Sequence, residues 1–287
     1  MESVLQNKVA VITGGSRGLG YAIAEAYARE GAQVVIASRT QTAVDKAVRK
    51  LRESSAHAEG FACDVSDLRQ VEALAEFAVQ KFGGLDIWVN NAGVSAAYGP
   101  TAHIPSENFQ SVIDTNITGT YNGSVTAMRY FVRQKSGKLV NLLGRGDKGA
   151  VPLQNAYSSS KVWVFNFTKA LAKEYEGSGV DVFGFNPGLV RTDMISNIEA
   201  VSGYEQRLNP LRYVTLLWGN DADVPAQKAV WLASPATDGK NGLQVSVLTT
   251  YFKISRLFQQ AFRWLARKPS ELMDLNITTV EPEISAD

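Results

Sequence analysis

The apolar residues of this chain fall into about seven short runs, separated by stretches in which apolar and polar positions recur with a longer period. The first run, residues 8–13, is almost continuously apolar, which is typical of a strand buried on both faces of a sheet. Several of the runs are followed by a stretch in which apolar residues recur with the spacing of a helix. This alternation predicts an α/β fold: a doubly wound parallel sheet of about seven strands, with right-handed crossovers and helices on both faces. The remaining predicted strands are residues 33–38, 60–64, 85–90, 138–143, 180–185 and 243–248, and the clearest predicted helices are residues 19–30, 42–54 and 68–82.

A glycine-rich turn joins the first predicted strand to the first predicted helix, in Thr13-Gly-Gly-Ser-Arg-Gly-Leu-Gly20. In this context Gly14 permits a tight turn, Gly18 lets the backbone approach a pyrophosphate, and Gly20 allows helix and strand to pack closely. A diphosphate would then lie at the helix N-terminus, where free N–H groups and the helix dipole favour an anion. The turn therefore indicates a Rossmann-type dinucleotide site.

A second motif, Tyr157-Ser-Ser-Ser-Lys161, points to chemistry. Four-residue spacing places the phenol and the ammonium on one face of a helix, one turn apart. A cation beside a phenol lowers the phenol pKa from its usual value of about 10 towards the working range of an acid/base catalyst. By itself the pair also fits a solvated Tyr and Lys on an amphipathic helix. The glycine turn upstream favours a hydride-transfer site.

Further motifs follow in order: Asp64-Val65, Asn90-Asn-Ala-Gly93, Asn116 within Asp114-Thr-Asn-Ile, and Asn186-Pro-Gly-Leu-Val-Arg-Thr192. With the glycine turn and the Tyr–Lys pair, they make the chain resemble the short-chain dehydrogenase/reductase family across roughly residues 5–250. The resemblance implies one catalytic domain, residues 1–250, with a substrate lobe at about residues 193–221. Residues 251–287 are then a C-terminal helical extension and tail.

The resemblance implies hydride transfer between a nicotinamide and a carbonyl, enone or imine substrate. Tyr157 would be the general acid/base, while Lys161 would hold the ribose hydroxyls and lower the tyrosine pKa. Asn116 would support a water in a proton relay, and Thr192 with the Val190 backbone would hold the carboxamide. The cofactor-binding positions implied are Gly14, Ser16, Arg17, Gly18, Leu19, Gly20, Ser38, Arg39, Asp64, Val65, Asn91, Ala92, Gly93, Tyr157, Lys161, Pro187, Gly188, Val190 and Thr192.

The end of the second predicted strand indicates which nicotinamide cofactor is used. A carboxylate there would bond the ribose 2′-OH of NAD and repel the extra phosphate of NADP. The chain has Ser38-Arg39-Thr40 instead, and its next acid is Asp45. Arg39 and Arg17 can clamp a 2′-phosphate by charge-assisted hydrogen bonds, although they also fit two surface arginines. The prediction is NADP(H).

The chain departs from the family where a catalytic serine is usual, because Gly144 stands there and residues 137–156 contain no Ser or Thr. Losing one oriented donor to an oxyanion costs about 10²–10³ in rate. Three explanations stay open. Arg145, Gln154, Asn155 or a backbone N–H of the turn replaces the donor; or the substrate is an imine or a conjugated enone; or the chain is a catalytically weak NADP(H)-binding sensor or scaffold. Arg145 equally fits a surface salt bridge with Asp147.

The predicted substrate residues are Gly144, Arg145, Gln154 and Met194. Apolar and aromatic residues are frequent across residues 193–221, which indicates a largely apolar small-molecule substrate or a helical lid. A lobe that simply packs on the core has the same composition.

The predicted C-terminal helix carries its apolar residues at i, i+3 and i+4 spacing and its basic residues on other faces. We expect that helix to pack on its own domain or on a neighbouring subunit, with contact to a membrane surface as the alternative. The resemblance implies a homodimer or homotetramer built on the helices that carry Asn116 and Tyr157. The apolar residues are Ile254, Leu257, Phe258, Ala261, Phe262 and Leu265, and the basic residues are Lys253, Arg256, Arg263, Arg267 and Lys268.

The amino-acid composition narrows the classes of protein to which the chain can belong. Hydrophobic residues make up 45% and charged residues 20% of the chain, and the net charge is +1 without a basic run, which gives no indication of nucleic-acid binding. One cysteine, Cys63, and two separated histidines predict neither a disulfide nor a metal site. No apolar stretch is long enough to span a bilayer and no secretory signal is evident, so we expect a cytoplasmic protein.

Overall fold

A computed structural model describes residues 3–265 and 272–283, and its centre is a parallel sheet of seven strands. Two further pairs of short strands lie outside this sheet. The strands are β1 (Val9–Thr13), β2 (Gln33–Ser38), β3 (Ala58–Ala62), β4 (Ile87–Asn90), β5 (Gly137–Leu142), β6 (Val180–Asn186), β7 (Leu189–Val190), β8 (Asn197–Val201), β9 (Gly219–Asn220), β10 (Gln244–Ser246) and β11 (Asn276–Val280).

Helices connect the strands and cover both faces of the sheet, as the sequence pattern predicts. The described helices are α1 (Gly18–Arg29), α2 (Gln41–Glu53), α3 (Leu68–Phe82), α4 (Ser106–Val112), α5 (Gly119–Gln134), α6 (Asn155–Glu174), α7 (Asp193–Ser196), α8 (Asn209–Trp218), α9 (Asp223–Ala233) and α10 (Thr250–Leu265). The predicted bounds of α1, α2 and α3 agree with these to within one residue.

The strand order across the large sheet is β3-β2-β1-β4-β5-β6-β10, and every pairing in it is parallel. The order reverses between β1 and β4. In sheets of this kind, ligands bind outside the carboxyl ends of the strands at such a reversal. The prediction of a Rossmann-type, doubly wound sheet is therefore confirmed, and the reversal locates its binding crevice.

Burial on both faces explains why the central strands read as continuous apolar runs. Side chains along a strand alternate between the two faces. Ala10 and Ile12 of β1 accordingly belong to one core cluster, together with Ile23 and Tyr27 of α1. Val11 belongs to a second cluster on the opposite face, formed with residues of α3 and α5. Each face must be apolar, so no polar position interrupts the run.

The C-terminal extension returns to β8, within residues 193–221. Strand β11 pairs in parallel with β8 along five residues, and Tyr98 bridges to Ala200 on β8. The N–H of Glu283 donates to the carbonyl of His103, 3.3 Å away. The pattern of the tail, which is mostly polar, does not predict this strand. Backbone pairing with β8 holds it in place instead.

Helix α10 contacts α8, but the described side chains of its predicted apolar face are largely exposed instead of packed on the same protomer as expected. Phe258 is 72% exposed and Phe262 is 69% exposed, whereas Arg256 turns inward and donates to Asn220 Oδ1 at 3.2 Å. Ile254 and Leu257 are also exposed. None of the described helices is long and apolar enough to cross a membrane. The side chains of Ala261, Arg263 and Leu265, and residues Arg267 and Lys268, lie outside the described part of the chain.

Candidate active site

The glycine turn is tied to the end of β4 by a threonine hydroxyl. Thr13 ends β1, and its Oγ1 accepts hydrogen bonds from the N–H groups of Asn91 and Ala92, each at 3.1 Å. The Asn91 side chain donates to the carbonyls of Thr13 and Gly14. Because β1 and β4 flank the reversal of strand order, these bonds fix the floor of the binding crevice.

The turn has the shape needed for a diphosphate. Gly14 has φ +63°, and a Cβ there would lie 2.9 Å from the Cα of Ala92. A Cβ at Gly20 would collide with the carbonyl of Gly14, so the helix can approach the turn only with glycine there. Helix α1 begins without a side-chain cap at Arg17 and without an acidic residue in its first turn. Its free N–H groups therefore fit an anionic group, as the sequence predicts.

The positions expected around an adenosine ribose lie at the ends of β2 and β3. Ser38 ends β2 and is partly buried, and Arg39 beyond it is exposed. The Arg17 guanidinium lies 3.9 Å from the Asp193 carboxylate, with both side chains mostly exposed. Beyond β3, Val65 is buried while Asp64 accepts two hydrogen bonds from Ser66. Two cations without a carboxylate at the end of β2 fit a 2′-phosphate.

Helix α6 brings Tyr157 and Lys161 together, one turn apart. Lys161 is buried and its Nζ donates to the carbonyl of Leu142, at the end of β5, at 3.0 Å. The same Nζ lies 5.6 Å from the centre of the Tyr157 ring. A Cβ at Gly93 would lie 3.8 Å from it, which places the ammonium beside the segment that follows β4.

Asn116 joins the segment after β4 to helix α6. It lies in a π-helical turn, Ile113–Thr118, between α4 and α5, and it is fully buried. Its Oδ1 accepts from the Val94 N–H at 2.8 Å, and its Nδ2 donates to the Val94 carbonyl and to Ser160 Oγ, both at 3.0 Å. Turns of this kind are frequent at functional sites. Both protons of the Asn116 amide are therefore engaged in protein contacts.

The electrostatics of the pair differ from the expectation of a lowered tyrosine pKa. Burial, together with the negative charge of Asp147, raises the pKa of Tyr157 to about 12. Burial also lowers the pKa of Lys161 to about 8, and Asp147 opposes that shift. Desolvation disfavours the phenolate and the ammonium alike. The ammonium, 5.6 Å from the ring centre, does not outweigh it.

Gly144 backs directly onto the tyrosine hydroxyl. A Cβ at this position would collide with Tyr157 Oη and would lie 3.4 Å from Lys161 Cγ. Gly144 is buried, and its carbonyl accepts from Asn186 Nδ2 at 3.2 Å. The phenol thus occupies the space that a side chain at position 144 would need.

Arg145 and Asp147 do not form the salt bridge considered from the sequence. Asp147 is buried and its Oδ2 accepts from Asn186 Nδ2 at 2.9 Å, whereas Arg145 is exposed. The turn closes through the Asp147 N–H, which donates to the Gly144 carbonyl at 3.2 Å. The proximity of Asp147 to the Tyr–Lys pair is not evident from spacing, because the turn after β5 decides it.

The segment after β6 faces the glycine turn. Asn186 Oδ1 accepts from the Gly188 N–H at 2.9 Å, and Gly188 has φ +76°. Beyond Pro187 and Val190, Thr192 comes within reach of α1, since a Cβ at Gly18 would lie 3.4 Å from Thr192 Cγ2. The predicted carboxamide-binding residues are therefore brought to the crevice.

A cavity of about 440 Å³ borders Tyr157 on the side of the segment after β4. Gln154 lines it together with mainly small and apolar residues, among them Ala96, Ala97 and Leu153. Arg145 and Met194 are not among its lining residues. Glu283 lines it from the C-terminal tail and accepts from Ser106 Oγ at 2.7 and 2.8 Å. Sequence reasoning missed Glu283, since no motif connects residue 283 to residue 106.

Comparison with known proteins identifies relatives of this chain. A family model described as short chain dehydrogenase matches residues 8–202. A 3beta-hydroxysteroid dehydrogenase 1 from Eggerthella lenta is 37% identical over 236 residues, which cover 80% of this chain and 88% of that protein.

Two solved structures have the same fold across almost their whole length. A gluconate 5-dehydrogenase from Burkholderia cenocepacia, in complex with NADP and tartrate, superposes with a TM-score of 0.76 at 26% identity, covering 86% of this chain and 95% of that chain. A 3-ketoacyl-(acyl-carrier-protein) reductase from Brucella melitensis, complexed with NADH, gives 0.75 at 27% identity, covering 85% and 97%. With the strand order, the glycine turn and the family match in agreement, the chain belongs to the short-chain dehydrogenase family.

Proposed function

We propose that this protein is an NADP(H)-dependent oxidoreductase that reduces a carbonyl or related unsaturated group of a small, largely apolar molecule. The observation that carries the proposal is the assembly of Tyr157, Lys161 and Asn116 beside the end of β4, at the reversal of strand order. The family match supports it, because the relatives are oxidoreductases by name.

The cofactor proposal rests on the residues that line the crevice. The free N–H groups at the start of α1 would hold the diphosphate, and Arg17 and Arg39 would hold a 2′-phosphate. Thr192 and the Val190 backbone would hold the carboxamide, which fixes the reactive face of the ring. When bound, the nicotinamide supplies the hydride. Solved relatives contain NADP in one case and NADH in another, so the arginines carry the preference for NADP(H).

Tyr157 would then give a proton to the substrate as the hydride arrives. Its raised pKa keeps the phenol protonated at neutral pH, which suits an acid in the reductive direction. Lys161 would hold the ribose hydroxyls with the protons that Leu142 does not use. Asn116 would act by holding the Val94 segment against α6, and its support of a relay water stays a prediction.

We propose further that Gly144 stands where relatives carry the catalytic serine, so a second donor to the substrate oxygen is missing. Arg145 is exposed and Gln154 borders the cavity next to Tyr157, which makes Gln154 the stronger substitute of the two. The apolar lining of that cavity supports a largely apolar substrate.

The test is NADPH oxidation against a panel of ketones, quinones, enones and imines, with NADH in parallel and Tyr157→Phe as the variant. We expect turnover with NADPH, tighter binding of NADPH than of NADH, and a loss of about 10²–10⁴ in kcat for the variant with cofactor affinity unchanged. Tight NADPH binding with no oxidation of any substrate, and no effect of Tyr157→Phe, would instead identify a cofactor-binding sensor or scaffold.

A further inference from the structure

The C-terminal tail brings a charge to the cavity beside Tyr157. Among the described residues that line this cavity, Glu283 alone carries a carboxylate, and no lysine, arginine or histidine is found with it. Glu283 takes part in no ion pair with a described residue. The cavity wall therefore offers a ligand one negative charge and no positive charge to neutralise it.

Backbone contacts on both sides of the cavity wall bring Glu283 to this position. Strand β11 pairs with β8 up to Val280, and the Ser202 N–H donates to the Val280 carbonyl at 3.0 Å. Three residues further on, the Glu283 N–H donates to the His103 carbonyl at 3.3 Å. The main chain thus carries the side chain to the cavity, and a change of the carboxylate alone leaves these bonds in place.

The Glu283 carboxylate has hydrogen-bonding capacity that the described residues do not use. Ser106 Oγ lies 2.7 Å from Oε1 and 2.8 Å from Oε2, and no other described residue donates to either oxygen. A serine hydroxyl has a single proton, whereas an ionised carboxylate can accept about four hydrogen bonds. Glu283 is exposed, so its remaining acceptor sites are open to a donor on a ligand.

The rest of the cavity wall suits an apolar body. Alanine, leucine, isoleucine and phenylalanine are the main side chains of the lining. Among the neutral polar ones, Asn155 Nδ2 donates to Thr101 Oγ1 at 3.2 Å, and Asn155 Oδ1 accepts from Ser159 Oγ at 3.0 Å. These three groups bond to one another, which leaves the Glu283 carboxylate as the stronger acceptor for a ligand.

We propose that Glu283 determines substrate specificity: the substrate carries, apart from the group that is reduced, a hydroxyl or ammonium donor that binds the Glu283 carboxylate. A substrate with a carboxylate at that end is disfavoured by like charge. This inference rests on the proposed hydride-transfer function and narrows its substrate class. Because the donor does not react, Glu283 contributes to the binding of ground state and transition state alike, and it acts on KM instead of kcat.

The first test measures binding without turnover. Calorimetry on the full-length protein loaded with NADPH compares four naphthalenes that carry a hydroxymethyl, aminomethyl, methyl or carboxylate group at position 2. We expect the two donors to bind at least about threefold more tightly than the methyl derivative, and the carboxylate to bind most weakly, since solvent screens part of an exposed charge. Tighter binding of the ammonium than of the hydroxyl identifies an amine as the donor, and the reverse order identifies an alcohol.

Two variants of the tail complete this test. Glu283→Gln keeps an acceptor for Ser106 but removes the charge, and should reduce the ratio of ammonium to carboxylate affinity at least about threefold while the methyl derivative binds as before. Glu281→Gln removes an exposed carboxylate two residues away that does not line the cavity, and should leave the ratio unchanged. An unchanged ratio in Glu283→Gln would overturn the inference. A loss of affinity shared equally by all four compounds would show a purely structural role and would overturn it too.

The second test measures turnover with four 1-tetralones that carry the same substituents at position 6. We expect higher kcat/KM for the hydroxymethyl and aminomethyl ketones through a lower KM, and in Glu283→Gln a loss of this advantage with kcat unchanged. Reduction of all four ketones with equal kcat/KM would overturn this inference and leave the proposed function standing. Absence of reduction with these ketones and with the wider panel would overturn both.

Discussion

Gly144 and Tyr157 depend on each other sterically. The tyrosine hydroxyl lies where any side chain at position 144 would begin, so the glycine does not leave an empty space beside the phenol. A close-packed interior accommodates an added group only by moving its neighbours. The Tyr157 phenol can therefore occupy this position only because residue 144 is glycine.

Introducing a serine at position 144 should therefore harm the protein. We expect Gly144→Ser to displace the Tyr157 hydroxyl, to lower kcat, and to reduce the free energy of unfolding by about 1–3 kcal/mol. Urea unfolding and NADPH oxidation measure the two effects. Gly144→Ala is the matched variant, since it adds the Cβ without a hydroxyl and should show a similar loss of stability. Higher activity in Gly144→Ser would contradict the steric argument.

Asp147 contributes to the pH range over which Tyr157 ionises. Burial and the Asp147 carboxylate together raise the pKa of Tyr157 to about 12, so the phenolate needed to oxidise an alcohol forms only at high pH. Asp147→Asn removes one of these causes and should move the rise of oxidative kcat/KM to lower pH. The same change removes the group that raises the pKa of Lys161, whose value near 8 should then fall. The measurement is a pH–rate profile, with Glu72→Gln as the control because Glu72 is a surface carboxylate that pairs with Arg129. A profile for Asp147→Asn that is unchanged or shifted to higher pH would exclude this role of Asp147.

At the scale of elements, three non-consecutive segments build the wall of the site. Strand β8 of the lobe lies between Tyr98, from the segment after β4, and β11 of the tail. The tail then reaches Ser106 through Glu283. An isolated pair of short strands is only marginally stable, so each of these segments depends on its neighbours.

Removing the tail strand should loosen the lobe and spare the large sheet. A chain ending after residue 275 loses β11, including the bond from the Ser202 N–H to the Val280 carbonyl at 3.0 Å. Hydrogen exchange across residues 197–202 should accelerate by at least about tenfold, because each backbone bond contributes about 0.5–1.5 kcal/mol. Amides of α6 should be unaffected. A chain ending after residue 283 retains β11 and serves as the control; equal exchange in the two chains would show that β11 does not hold β8.

At the scale of the whole molecule, the outer faces of α5 and α6 carry an aromatic cluster. The rings of Trp163 and Phe167 are stacked with their centres 4.7 Å apart, and Tyr121, which is 47% exposed, lies 6.1 Å from Phe167. Trp163 and Phe167 are partly exposed, and a cluster of aromatic residues that reaches the surface in this way is typical of contact surfaces. The family resemblance predicts assembly through these two helices.

We expect the protein to be a dimer or tetramer. Trp163→Glu should lower the mass of the assembly, because a buried charge at the centre of an interface is costly. Light scattering after gel filtration measures the mass directly. Lys46→Glu, on the exposed face of α2, changes charge far from these helices and should leave the mass unchanged. A monomeric parent protein, or a mass unaffected by Trp163→Glu, would refute assembly through this face.

The sequence by itself determined the local and periodic features of this protein. Continuous apolar runs define the parallel sheet because both of its faces are covered, and the glycine turn is identifiable because its backbone geometry and close contacts require glycine at Gly14 and Gly20. The four-residue spacing of Tyr157 and Lys161 likewise requires only the period of a helix.

Only the tertiary structure decided how distant segments meet. It buried Asp147 beside the Tyr–Lys pair, set Gly144 against the tyrosine hydroxyl, and brought Glu283 to Ser106. It also left Phe258 exposed on a helix whose spacing predicts a packed face. The physical reason is that spacing encodes which face a residue occupies, whereas burial, collision and desolvation depend on what packs against that face from elsewhere in the chain.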